Sequence, residues 1–330
     1  MKLPVFLEPY VALVKGVNPK DNATLIFRQL GLPVVGLLVF MMVWSGAAKN
    51  IETSLGNFPG PVEVYNQFTN LVDEHQAEKE KAQAFFERQQ ARNEARMAQD
   101  PDFVSTIRPY TGAPTFFDQI KTSLFTVFTA FVIGSLIAIP IGILIGMSDG
   151  LYRAVNPIIQ LFKPVSPLAW LPLVTLVVSA LYISESPMFQ TAFIVSAITV
   201  LLSSIWSTII NTAVGVATVS KDLLNVSKVL NLNAWTHVTK ILIPSAIPMI
   251  FTGLRISLGI AWMVLIAAEM LSQSPGLGKF IWDQFQNGSS ESMSRIMVAV
   301  LVIGLIGFFL DRLMLLLQKT VSWDKSAVLR

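Results

Sequence analysis

Six apolar runs constrain this chain more than any other feature, because each is close to the roughly 20 residues needed to cross a hydrocarbon core. They cover residues 30–48, 116–146, 167–183, 190–214, 246–271 and 296–317. Soluble domains carry about 25% charged residues. Here the share is 14%, with 53% of the chain hydrophobic, so the expected class is an all-α membrane protein of about six transmembrane helices. The second run is longer than a crossing requires and should tilt or protrude, with Pro140 available to kink it. The third is the shortest, and Pro157, Pro164, Pro167 and Pro172 blur its start.

Orientation follows from basic residues in short loops. With the N-terminus inside, the cytoplasmic segments hold Lys2, Lys15, Lys20 and Arg28, then Arg153 and Lys163, then Lys221, Lys228 and Lys240, then Lys319, Lys325 and Arg330. Outside, the loop 184–189 holds none and 272–294 only Lys279. Both termini are therefore expected in the cytoplasm, as segments 1–29 and 318–330. Segment 1–28 contains Pro4, Glu8, Pro19 and Asp21 and does not read as a cleavable signal. Residues 5–14 suit a short helix on the membrane surface or a loosely structured tail.

Segment 49–115 then lies outside as an insertion. Residues 73–99 are rich in Ala, Glu, Gln, Lys and Arg, and Asp100-Pro101 stops them. About 40 Å of helix is expected there. Phe85, Phe86 and Met97 are too few for a core stripe, while Arg88, Arg92 and Arg96 share one face. The helix reads as a solvated elaboration or as a docking surface for an extracytoplasmic partner.

Several chemistries are excluded. The chain has no cysteine, so it has no thiolate site or disulfide. No phosphate-binding G-x-x-x-x-G-K-[ST] loop occurs, and Gly276-Leu-Gly-Lys279 has the wrong spacing. His75 and His237 fall on opposite sides of the membrane, so no metal or catalytic site is expected and the chain is not read as an enzyme. A net charge of +3 spread along the loops is no nucleic-acid patch.

Residues 221–260 stand apart, because a polar helical segment runs through Pro244 into the fifth apolar run. This stretch resembles the cytoplasmic coupling loop of ABC-importer permeases: Glu-Ala-Ala, three residues, Gly, nine residues, then Ile-x-Leu-Pro. Asn225-Val226-Ser227 stands at the Glu-Ala-Ala, Asn231 at the Gly, and Ile241-Leu242-Ile243-Pro244 at the end. With Asn at the first position, the usual glutamate contact does not carry over. Further strings appear in order: Pro167-Leu-Ala-Trp-Leu-Pro172, Asn211-Thr-Ala-Val-Gly215, Phe251-Thr-Gly-Leu-Arg255, Ala268-Glu-Met-Leu271, Gly276-Leu-Gly-Lys-Phe-Ile-Trp-Asp283 and Gly307-Phe-Phe-Leu-Asp-Arg312. Together they are similar to the permeases for nitrate, bicarbonate, taurine and aliphatic sulfonates. Asn225–Leu230 resembles the nitrate/bicarbonate branch, and the likeness covers roughly residues 116–319.

The resemblance implies the type I ABC importer permease fold, with a permease core at 116–317, in the bacterial inner membrane. It implies a homodimer or close heterodimer, cytoplasmic ATPases that hold ATP and Mg, and an extracytoplasmic binding protein. No cofactor is expected in this chain. A coupling helix near 223–235, within the loop 221–245, would meet the ATPase through Leu223, Leu224, Asn225, Val226, Ser227, Val229, Leu230, Asn231, Leu232, Trp235, Ile243 and Pro244. Pro244 and Pro248 would hold its angle to the fifth span. For the anion path the candidates are Arg255, Ser203, Ser207, Thr126 and Glu269. Arg255 either snorkels to the interface or lines the anion exit, and Glu269 suits a structural hydrogen bond or a gate. Ser204, Thr208, Thr122 and Thr129 add hydroxyls, which commonly join helices; Trp170 and Trp206 read as packing. Nitrate is the favoured substrate, with bicarbonate and taurine or sulfonates as alternatives. An ATP-independent anion transporter and a non-transport scaffold are the readings from other classes.

Overall fold

In the computed structural model, residues 18–53, 56–100, 103–183 and 189–321 are described. The expectations for 5–14, Lys2, Lys15, Lys325, Arg330 and residues 184–188 lie outside them. Ten helices carry these segments: α1 (Pro19–Asn50), α2 (Pro61–Gln99), α3 (Phe116–Met147), α4 (Asp149–Phe162), α5 (Pro167–Leu181), α6 (Thr191–Ala217), α7 (Lys221–Val229), α8 (Ala234–Ser272), α9 (Leu277–Asn287) and α10 (Ser290–Val321). One short antiparallel hairpin, β1 (Glu52–Thr53) with β2 (Gly56–Asn57), follows α1.

Five of these helices, α1, α3, α6, α8 and α10, are long and apolar enough to cross a membrane. The expected third span is different. Helix α5 has 15 residues, about 22 Å at 1.5 Å per residue, which is short of a 30 Å core. It meets α4 at a 96° bend, and only the bent pair together makes a sixth crossing. The physical reason is local: Pro164 and Pro167 cannot continue a hydrogen-bonded ladder, and the Ser166 hydroxyl accepts from Leu168 N, which starts a new helix.

Helix α6 is the axis. It packs against α3, α5 and α8, and its buried residues run along its whole length from Val195 to Val216. Apolar burial alone does not hold helices together in lipid, so close backbone approach has to. Gly142 of α3 sits against Thr212 and the Ile209 carbonyl, and Gly253 of α8 against Asn211 and the Ser207 carbonyl. A Cβ at Gly142 would meet Thr212 Cβ at 2.6 Å. The main core joins Val127, Val200, Leu258, Leu265, Leu277 and Val298 from five helices. Helix α1 leaves its side chains from Leu32 to Val43 exposed, as lipid would require, and joins this core at its end through Trp44 and Ala48, where Trp44 Nε1 donates to the Pro59 carbonyl at 3.1 Å.

The outer helix is longer than expected. Its 39 residues span about 58 Å, because Pro61 is pre-set for a first turn and Val64, Gln67 and Leu71 bury a stripe before the charged half begins. Glu74 pairs with Arg295 of α10 at the base. Farther out, residues 103–115 run back along the helix. Gln89 and Arg108 exchange two 2.9 Å bonds, Asn93 donates to Ser105 Oγ, Tyr110 OH to Glu78, and His75 Nδ1 lies 2.7 Å from Thr115 Oγ1. The Tyr110 hydrogen bond, aided by Lys81, holds the Glu78 carboxyl below its usual range and raises the Tyr110 phenol. The arm is thus a helix with its own return segment, not a bare helix.

Candidate functional site

At the end of the bundle remote from the arm, α6 stops at Ala217 and α7 begins. Ser220 Oγ accepts from Leu223 N, which caps α7. Asn231 takes φ 48°, the left-handed conformation that Asn tolerates, and turns the chain back. There Asn231 N donates to Lys228 O and Leu232 N to Ser227 O, both at 3.1 Å. The Asn233 side chain then caps α8 through Thr236 N. The bend between α7 and α8 therefore lies at 230–233, not at Pro244 and Pro248. Those prolines sit inside α8, directly after a π-turn, Val238–Leu242, whose wider hydrogen-bond spacing accommodates Pro244.

Helix α7 is docked by one face. Leu224 packs with Val219, Leu242 and Val216, and Ser227 is buried with its Oγ 2.7 Å from His237 Nδ1. The opposite face presents Leu223, Val226, Val229 and Leu230, with Val229 84% exposed, beside exposed Asn225 and Asn231. Trp235 is equally free, but it belongs to α8 rather than to α7. Leu232, Ile243 and Pro244 are half-buried, and the last two lie in α8 away from the α7 surface. His237 is the residue sequence reasoning missed here.

The second feature is a groove of about 600 Å³ between α8 and α10. Thr252, Ile256, Gly259 and Met263 recur at helical spacing along its α8 wall, and Gln318 and Asp311 face it from α10. Arg255 crosses it. Nε and Nη2 of Arg255 donate to the two oxygens of Asp311 at 2.5 and 3.0 Å. A smaller void of about 250 Å³, closed by Trp262 and Gly307, lies against the same pair. Arg255 turns across to α10, where Asp311 pairs with it. Nine residues, about 14 Å, separate it from the start of the apolar run at Ala246, and its charge is answered inside the bundle. Asp311 stood within a family string but was not recognised as the partner; opposite charges in two apolar helices were the available signal.

Glu269 occupies a third place, at the end of α8 that meets the start of α3 and of α9. It is fully buried. Ser123 Oγ from α3 donates to its carboxylate at 2.8 Å, Gly278 N at 3.0 Å, and Ser123 Oγ itself accepts from Leu277 N at 2.9 Å. The carboxylate thereby sits at the start of α9, where unpaired helix N–H groups favour negative charge. Gly276 and Gly278 press on Glu269 so closely that neither has room for a side chain.

The hydroxyl candidates are scattered. Thr126 donates to Thr122 O, Ser203 to Thr199 O, and Ser207 is buried on the α8-facing side of α6. Thr208 and Ser257 pair at 2.7 Å, and Ser257 donates to Ser204 O, so these groups bond α6 to α8. None of them lines the Arg255 groove. Trp206 stacks on Phe162, and Trp170 packs against the same ring at a tilt.

Comparison with known proteins decides the family. The model for "binding-protein-dependent transport system inner membrane component" matches residues 138–323, more than half of the chain. This chain belongs to that family. It is 37% identical over 228 residues to "Nitrate import permease protein NrtB" of Synechococcus elongatus, covering 66% of this chain and 77% of that one. It is 39% identical over 207 residues to "Bicarbonate transport system permease protein CmpB" of Synechocystis sp., covering 62% and 69%. An inward-facing MetNI methionine ABC transporter structure shares the fold, with a TM-score of 0.54 at 14% identity over 62% of this chain and 95% of that one. The chain is an ABC importer permease related to the nitrate and bicarbonate types, and a multi-pass protein of the inner membrane. The family match leaves the arm, α2 with its return segment, outside.

Proposed function

We propose that this chain is the membrane-spanning subunit of an ATP-driven importer that carries a small oxyanion, nitrate first, into the cytoplasm by alternating access. The observation that carries the proposal is α7: a nine-residue helix fixed by Ser220, Asn231 and the Ser227–His237 bond, with its apolar Leu223, Val226, Val229 and Leu230 uncovered. Four large apolar side chains exposed along about two rigid turns of helix suit a cleft in a partner. Because α7 joins α6 to α8, a push on it moves both helices that pack most closely in the bundle. ATP and Mg are assigned to separate ATPase subunits, substrate delivery to an extracytoplasmic binding protein, and the second half of the pathway to another permease copy. Both termini and α7 face the cytoplasm in this reading, and 116–317 forms the permease core. Translocation is assigned to Arg255, with Ser203, Ser207 and Thr126 lending helix contacts and Glu269 a structural bond near the outer end.

Bicarbonate is the second substrate reading, because the likeness to CmpB is of the same order as that to NrtB. Radiolabelled uptake in a strain lacking the gene separates the two: loss of nitrate uptake is expected, and undiminished nitrate uptake in a strain without a redundant system refutes the assignment. Coupling is tested by Leu230→Asp, which should leave ATP hydrolysis running without transport.

A further inference from the structure

Arg255 is not fully used by its partner. A guanidinium has five N–H donors arranged in two forks. Asp311 occupies the side-on fork, Nε with one N–H of Nη2. Among the described residues, Nη1 and the other N–H of Nη2 have no acceptor, so the end-on fork is free. The side chain is 34% exposed and lines both the 600 Å³ groove and the 250 Å³ void. Lipid cannot be what that groove faces, because a charged pair with Thr252 and Gln318 beside it requires water or protein. Gly259, with nothing within 4 Å of where a Cβ would lie, leaves the space beside the guanidinium open.

From this geometry we infer that the end-on edge of Arg255 is a binding site for a small monovalent oxyanion with a flat two-oxygen edge, the nitrate and bicarbonate class. Asp311 is its positioning residue. It fixes the plane of the guanidinium and cancels most of its charge, which gives a weak site that fills and empties quickly. An unpaired arginine at that depth would hold an anion too long to pass it on. The inference rests on the anion-importer reading and adds its contact residue.

The test is direct ion binding, not transport. The purified full-length chain in detergent is titrated with sodium nitrate or bicarbonate at constant ionic strength in chloride, and its thermal midpoint is followed. Wild type should be stabilised by nitrate and bicarbonate beyond chloride. Asp311→Asn keeps a hydrogen-bond acceptor but removes the opposing charge, so its half-saturating nitrate concentration should fall about tenfold or more. Arg255→Gln should lose the response, because a charge-assisted bond pair is worth roughly 10- to 100-fold in affinity. The double variant Arg255→Gln/Asp311→Asn keeps a neutral hydrogen-bonded pair and should also show no response, which separates lost binding from lost folding. Equal responses in wild type, Asp311→Asn and the double variant overturn the site. Nitrate import by the complete importer tests the substrate reading separately, and normal import by Arg255→Gln would overturn the site while leaving that reading intact.

Discussion

Glu269 of α8 and Asp311 of α10 are both carboxylates of apolar helices, and they are built in opposite ways. Glu269 is sealed: it has no exposed surface, its hydrogen bonds come from neutral donors on α3 and α9, and two glycines leave no space around it. Asp311 is 40% exposed in a groove, bonded to an arginine, with a void on each side of the pair. A carboxylate with every neighbour in contact is part of the framework, since any movement leaves several buried groups unpaired. A charged pair with empty space beside it is free to meet something that comes and goes. A buried acid alone therefore does not mark a transport path; a charged pair beside space does.

That contrast can be broken in several places. Glu269→Ala should have the largest effect on folding, about 3–5 kcal/mol by thermal or denaturant unfolding, because it strands Ser123 and Gly278 N and opens a cavity; a loss below about 1 kcal/mol would mean the latch is ornamental. The double variant Arg255→Gln/Asp311→Asn should reverse the pattern: import falling roughly 10- to 100-fold while the unfolding free energy stays within about 1 kcal/mol of wild type. Next in size, Asn231→Val places a β-branched residue at positive φ and should cost about 1–2 kcal/mol, with Asn231→Gly harmless, as read by unfolding and by the ratio of ions moved to ATP hydrolysed. Arg295→Ala removes a half-exposed pair at the base of the arm and should cost no more than about 1 kcal/mol. Smallest of all, Tyr110→Phe should let the Glu78 carboxyl titrate back up toward its ordinary range in a pH-dependent NMR experiment. The link to Tyr110 is present above the ordinary carboxylate range and lost as pH falls through the depressed value.

Much of the fold was legible because apolar length is a one-dimensional signal. The runs at 116–146 and 190–214 map onto α3 and α6 with little change. The run at 167–183 misled, because composition cannot register the 96° bend that Pro164 and Pro167 introduce. The proline hinge misled in the other direction. Pro244 looked like a break, yet a π-turn absorbs it, and the turn falls at Asn231, whose left-handed conformation the motif alignment had already singled out as a glycine position. Arg255 and Glu269 were visible as ionisable residues in apolar runs. Their partners were not, since Asp311 lies 56 positions away and Ser123 lies 146, and no local pattern joins residues so far apart.

The most direct measurement is nitrate import into proteoliposomes, made with this chain alone under an imposed ion gradient and with the complete importer supplied with ATP. Import should appear only in the complete importer, stop when ATP is withheld, and vanish with Leu230→Asp while ATP hydrolysis continues. Gradient-driven import by this chain alone would contradict the assignment of α7 as the point where ATPases push.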